Sequence, residues 1–134
     1  AAETGHLVIS TLHTTGAVNT VDRIIDSFPP EQQQQIRIQL SMVLRGIVSQ
    51  QLVPSIDGAE VPAFEVVVCN TAICNMIRES NIHQMESIIY SSAQEGMITM
   101  DTYLLNLVKE GKITPDTAIQ AAINKEQLQR RLSL

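Results

Sequence analysis

The chain has 134 residues, 44% hydrophobic, 17% charged and 3% aromatic, with a net charge of −5 and a pI near 5.0. That balance describes a single globular domain over residues 1–134 with an aliphatic core, and it argues against a disordered chain. The nine lysines and arginines are scattered rather than gathered into a basic face, which argues against nucleic-acid binding, and no apolar run approaches the ~20 residues that a membrane-spanning helix needs.

The chain opens on "AAETGHLV", with neither an initiating Met nor a signal peptide, and reads as a piece of something longer. Leu7 to Leu12 is apolar and partly β-branched, with Gly5 before it and His13, Thr14, Thr15 and Gly16 after. It is expected to form a buried strand. Two of the three histidines, His6 and His13, flank this run. They are either polar bookends or a means of delivering an imidazole to a reaction site.

Val18, Val21, Ile24, Ile25 and Phe28 follow at helical spacing, until Pro29 and Pro30 stop the helix. A second helix is expected from about Glu31, with a stripe of Ile36, Leu40, Val43, Leu44, Ile47 and Val48. The run Gln32 to Gln35 reads as its solvated first turn. Asp57-Gly58 between extended segments predicts a hairpin near 51–69, with "FEVVVC" from Phe64 to Cys69 as its clearer strand.

The remainder reads as helices. Thr71 is placed to cap a helix in which Ile73, Met76 and Ile77 turn inward and Arg78 and Glu79 turn to solvent. Ile82, Met85, Ile88 and Ile89 form another stripe ending near Gly96, and Leu104, Leu107 and Val108 a third that ends at Gly111. Thr114-Pro115-Asp116 is a helix start, and Lys125 to Leu132 is a last helix capped by Asn124. Neither a repeat nor a linker divides the chain. Cys69 and Cys74 read as small apolar residues of a reducing compartment. With His83 the only histidine near them in sequence, a metal site is not expected. His83 itself reads as a surface or capping residue.

"TGHLVISTLHT", with "SFPPEQQQQIRIQL" and "LRGIVSQQLVP" after it, resembles the secretion ATPase superfamily, and within it the type IV pilus retraction ATPases. The likeness runs over nearly the whole chain. "AICNMIRES" resembles a signature helix of those ATPases, with Cys74 where an arginine is expected and Met76 where a leucine is expected. The four-cysteine zinc insertion of the related extension ATPases is absent between Gln51 and Phe64, which favours a retraction-type member.

The resemblance implies an α/β fold, the C-terminal part of a RecA-like P-loop ATPase core. A few strands and helices with the histidine box would occupy residues 1–70, and a helical C-terminal part residues 71–134. Such a chain would begin just past the Walker B strand. The sequence holds no G-x-x-x-x-G-K-[ST] motif, since the only Gly-Lys, Gly111-Lys112, is followed by Ile113. The parent would hydrolyse ATP with Mg in a hexameric ring, at the cytoplasmic side of the inner membrane, without inserting in it. There it would meet the inner-membrane platform protein of the pilus, while this chain alone would be inactive. His13, at the strand end facing the γ-phosphate, is the first catalytic candidate and His6 the second. Thr11 and Thr14 would offer hydroxyls to the nucleotide, and Arg78 and Glu79 a partner surface. Arg23 and Arg45 are open to two readings, intersubunit contacts or a solvated face. A free-standing helical interaction module without nucleotide chemistry is the alternative.

Overall fold

The structure, a computed structural model, describes residues 1–133. Its described elements are a short 3-10 turn at Ala2–Thr4, then α1 (Ala17–Asp26), α2 (Pro30–Val43), β1 (Gly46–Pro54), β2 (Glu60–Val68), α3 (Thr71–Arg78), α4 (Met85–Ser91), α5 (Met100–Lys109), α6 (Pro115–Ala121) and α7 (Lys125–Leu132). Two further 3-10 turns, Ile82–Gln84 and Ala93–Glu95, lie on either side of α4.

β1 and β2 form an antiparallel hairpin in which Gly46 faces Val68 and Pro54 faces Glu60. Its turn closes through the Ala59 and Ser55 carbonyls, which accept from the Ser55 and Gly58 amides at 2.9 and 3.1 Å. Gly58 holds φ at +85°, a backbone setting that glycine reaches at least cost. Period two then sets the inner face. Ile47, Ser49 and Val53 of β1 and Ala63, Glu65 and Val67 of β2 are buried.

The hairpin joins two apolar clusters. Ile47 and Val67, at one end, pack with Val21, Ile25, Ile73, Ile77, Met85 and Ile89. Val53 and Ala63, at the other, pack with Met100, Leu104, Ile113, Ala118 and Leu128. An isolated two-stranded hairpin is marginal in water, so helices on its inner face supply what the ladder alone cannot.

Two sequence expectations are corrected. Residues 6–12 form no strand, and Leu7 and Ile9 are 88% and 85% exposed. A strand needs a neighbour to accept its ladder, and among the described residues β1 pairs only with β2. The second helix ends at Val43 rather than Val48, because the chain turns extended at Leu44 (ψ 127°) and Gly46–Pro54 is taken by the hairpin ladder. Ile47 is thus a buried strand residue, and Val48 faces outward.

Candidate functional site

The sequence candidates gather around the approach to α1. His13 lies on a bend, exposed, and makes no hydrogen bond to the described residues. Thr11 is exposed beside it. Thr14 is half-buried, and its hydroxyl meets that of Thr20 at 2.8 Å. Thr20 donates to the Gly16 carbonyl at 2.9 Å, and a carbonyl only accepts. The Thr20 proton is therefore spent, Thr14 is the donor between the two hydroxyls, and Thr14 serves as a lock on the helix entry. Gly16 ends the loop at φ +85°.

His6 has a different setting. Thr4 donates its hydroxyl to the Ala1 carbonyl at 2.8 Å, and His6 Nδ1 lies 3.0 Å from that hydroxyl and 3.3 Å from the same carbonyl. Both neighbours can only accept from it, so the Nδ1–H tautomer is favoured and Nε2 is left as an acceptor. This knot around residues 1–6 is local and reaches none of the residues around His13.

At the α1 N-terminus the first amide is already taken by a carboxylate. Glu65, on the buried face of β2, accepts the Ala17 amide on Oε1 at 2.7 Å. Its Oε2 accepts the Met100 amide at the start of α5 at 3.2 Å. Asp101, also buried, accepts the Ile123 and Asn124 amides at 2.8 and 2.9 Å. Both carboxylates sit at helix N-termini, where the dipole favours negative charge. Glu86 shares this neighbourhood, and its carboxyl is pushed above the usual range, by burial first and then by Asp101 and Glu65.

His13 and Thr11 are exposed on the approach to α1, and the chain carries no phosphate-binding loop motif that could cradle a whole triphosphate. Sequence reasoning missed Glu65 and Asp101. Alternation in "FEVVVC" offers Phe64, Val66 and Val68 as the apolar face and would turn Glu65 to solvent, so the pattern gave no signal for its burial.

Arg78 and Glu79 are both exposed at the end of α3. Arg78 Nε donates to the hydroxyl of the buried Ser41 on α2 at 3.4 Å, and its carbonyl accepts from Gln34 at 3.5 Å. The Arg78 backbone is therefore held to α2, while its guanidinium edge and Glu79 remain at the surface. Among the described residues no group of histidine, cysteine and carboxylate side chains could hold a metal ion, and no helix is long and apolar enough to cross a membrane.

A family model described as type II/IV secretion system protein matches residues 1–130. A twitching motility protein of Neisseria gonorrhoeae is 45% identical over 129 residues, which are 96% of this chain and 34% of that protein. The type IV pilus retractation ATPase PilT of Pseudomonas aeruginosa is 46% identical over 108 residues, 81% of this chain and 31% of its own length. The crystal structure of the pilus retraction motor PilT with bound ADP superposes with a TM-score of 0.85 at 45% identity, over 96% of this chain and 36% of that one. The chain thus spans about a third of the length of the relatives it matches.

Proposed function

Since the chain belongs to the type II/IV secretion system protein family, we propose that it is the histidine-loop portion of a ring-forming motor that couples ATP hydrolysis to type IV pilus retraction. The observation that carries this reading is the likeness to the retraction motor PilT over nearly the whole chain, in sequence and in fold together. ATP with Mg is the proposed cofactor, and when bound it supplies the phosphoanhydride whose cleavage drives the motor.

His13 is assigned the terminal phosphate or the water that attacks it. Its imidazole is exposed, without an internal partner, on a loop fixed at its far end by Thr14, Gly16 and Ala17. A ring N–H there donates to charge that develops in the transition state. Thr11 adds a hydroxyl at the same loop, and Thr14 holds the loop's exit. His6, engaged with Thr4 and Ala1, is assigned to a subunit contact. Arg78 and Glu79 are assigned to a partner surface for the platform protein of the pilus, on the cytoplasmic side of the inner membrane.

The test is steady-state ATP hydrolysis by the full-length motor that bears this sequence. His13→Ala is expected to lower kcat by roughly 10- to 1,000-fold and to move KM by only about a few fold, because the contact is made chiefly in the transition state. An unchanged kcat would leave His13 as a bookend. The 134-residue chain alone, which carries no phosphate-binding loop motif, is expected to show no micromolar affinity for Mg-ATP in a calorimetric titration.

A further inference from the structure

Four chain segments close on one another through two buried carboxylates. Glu65, 4% exposed, holds Ala17 at the start of α1 with one oxygen and Met100 at the start of α5 with the other. The next residue, Asp101, 5% exposed, holds Ile123 and Asn124 at the α6–α7 junction. The circuit then returns to its origin, since the Ile123 Cδ1 atom lies 3.1 Å from where a Cβ on Gly16 would stand. Gly16 is the last residue of the His13 loop. It therefore meets the α6–α7 junction directly, and it meets the same junction through Glu65 and Asp101.

We propose that Glu65 and Asp101 form a two-carboxylate brace that sets the His13 loop against the α6–α7 junction, and that Glu65 is a positioning residue for His13. The catalytic half of this statement rests on the reading of His13 given above; the brace itself does not. The chemistry of the side chains carries it. A carboxylate accepts on both oxygens, so Glu65 satisfies two backbone N–H groups from two different helices at once. An amide has one acceptor oxygen, and its NH2 would face the second N–H group as donor against donor. Neither carboxylate has a cation within ion-pair distance, because among the described residues the one ion pair is Lys112 with Glu110. Burying two carboxylates this way is opposed by desolvation, so the arrangement is a poor device for stability alone. Its product is register: each helix start is fixed relative to the others.

The experiment measures hydrogen exchange by mass spectrometry on the full-length protein, comparing wild type, Glu65→Gln, Glu65→Asp and Asp101→Asn. Asp101→Asn is expected to speed exchange about 10-fold in peptides spanning 121–127 and also in peptides spanning 11–20, to which the Asp101 carboxylate makes no hydrogen bond. Peptides spanning 73–77, in the other apolar cluster, should exchange as in wild type and so report intact folding. Confinement of the change to 121–127 would overturn the brace, and so would a uniform rise across the whole chain. Glu65→Gln is expected to speed exchange in 11–20 and to lower kcat about 10-fold, with KM steady and partial recovery in Glu65→Asp. A kcat in Glu65→Gln equal to wild type, with exchange in 11–20 accelerated, would overturn the positioning role. The two failures are distinguishable. An unaltered kcat in His13→Ala sinks the reading of the histidine and leaves the exchange result intact, whereas confined exchange sinks the brace whatever His13 does.

Discussion

Burial holds the Cys69 thiol at about 11, helped by the neighbouring Cys74 and opposed only weakly by Arg45. The thiolate is the reactive form, so alkylation of Cys69 by iodoacetamide at pH 8, followed by mass spectrometry, should be slower than that of a free cysteine by on the order of 100-fold. The folded state keeps this proton longer than the unfolded one. Stability therefore falls as pH rises from the thiol's ordinary value of 9.0 towards about 11. Two carboxyls shift in opposite directions. Asp57 is lowered by the Ser55 hydroxyl and then by the Ala59 amide, so its contribution is present above its ordinary value of 3.8 and is lost as pH falls below that value through the lowered one. Glu86 is raised, so it binds its proton more tightly in the folded state, and stability drops as pH climbs past 4.5. Replacing it by Gln removes the repulsion from Asp101 and Glu65. At pH 7 the unfolding free energy read from urea titration should rise by a fraction of a kcal/mol at this half-exposed position. At this scale the sequence was least legible. A glutamate in a strand or an aspartate in a first helical turn ordinarily faces water, and the apolar alternation of Phe64, Val66 and Val68 pointed Glu65 outward as well.

Helices were more legible because their punctuation is local. Asn124 and Thr114 cap α7 and α6 as their positions predict, each accepting from an amide three residues on at 3.1 Å. One cap is displaced by a residue. Asn70 rather than Thr71 caps α3, accepting from Ile73 at 3.0 Å. Ile73 and Ile77 are buried and Met76 half-buried, as the helical spacing requires, and Ile73→Ala should cost about 2–5 kcal/mol in denaturant unfolding. The far end of α3 holds a feature that composition conceals. The Asn81 amide donates to the Met76 carbonyl at 2.9 Å and the Ser80 amide to that of Ile77 at 3.4 Å, the bond pattern of a Schellman motif. That geometry puts Ser80 at φ +63°, where glycine is the usual occupant. Ser80→Gly is therefore expected to raise stability by up to about 1 kcal/mol, read as an increase in thermal midpoint without loss of the neighbouring Arg78 contact to Ser41. A serine gives no sequence signal for a left-handed residue, so this helix end was invisible in the pattern.

For the molecule as a whole, the hairpin belongs to both apolar clusters, and this makes their unfolding a shared event. Val53→Ala, set in the cluster of α5 to α7, should lower the denaturation midpoint reported by probes in α3 as much as by probes in α7; separate transitions would show that the hairpin does not link them. The hairpin and the order of helices from α1 to α7 were legible, since each depends on spacing within a short stretch, whereas the α/β class came from the family resemblance. Whether residues 7–12 are covered was not, because that depends on what lies beside them. They are left here as "LVISTL", six residues with no charge, no proline and no glycine, half of them β-branched and without a ladder partner among the described residues. Such a stretch is a seed for cross-β stacking between copies. The isolated chain should accordingly form thioflavin-positive fibrils as its concentration rises, and Ile9→Lys should abolish them while leaving the helical circular dichroism unchanged.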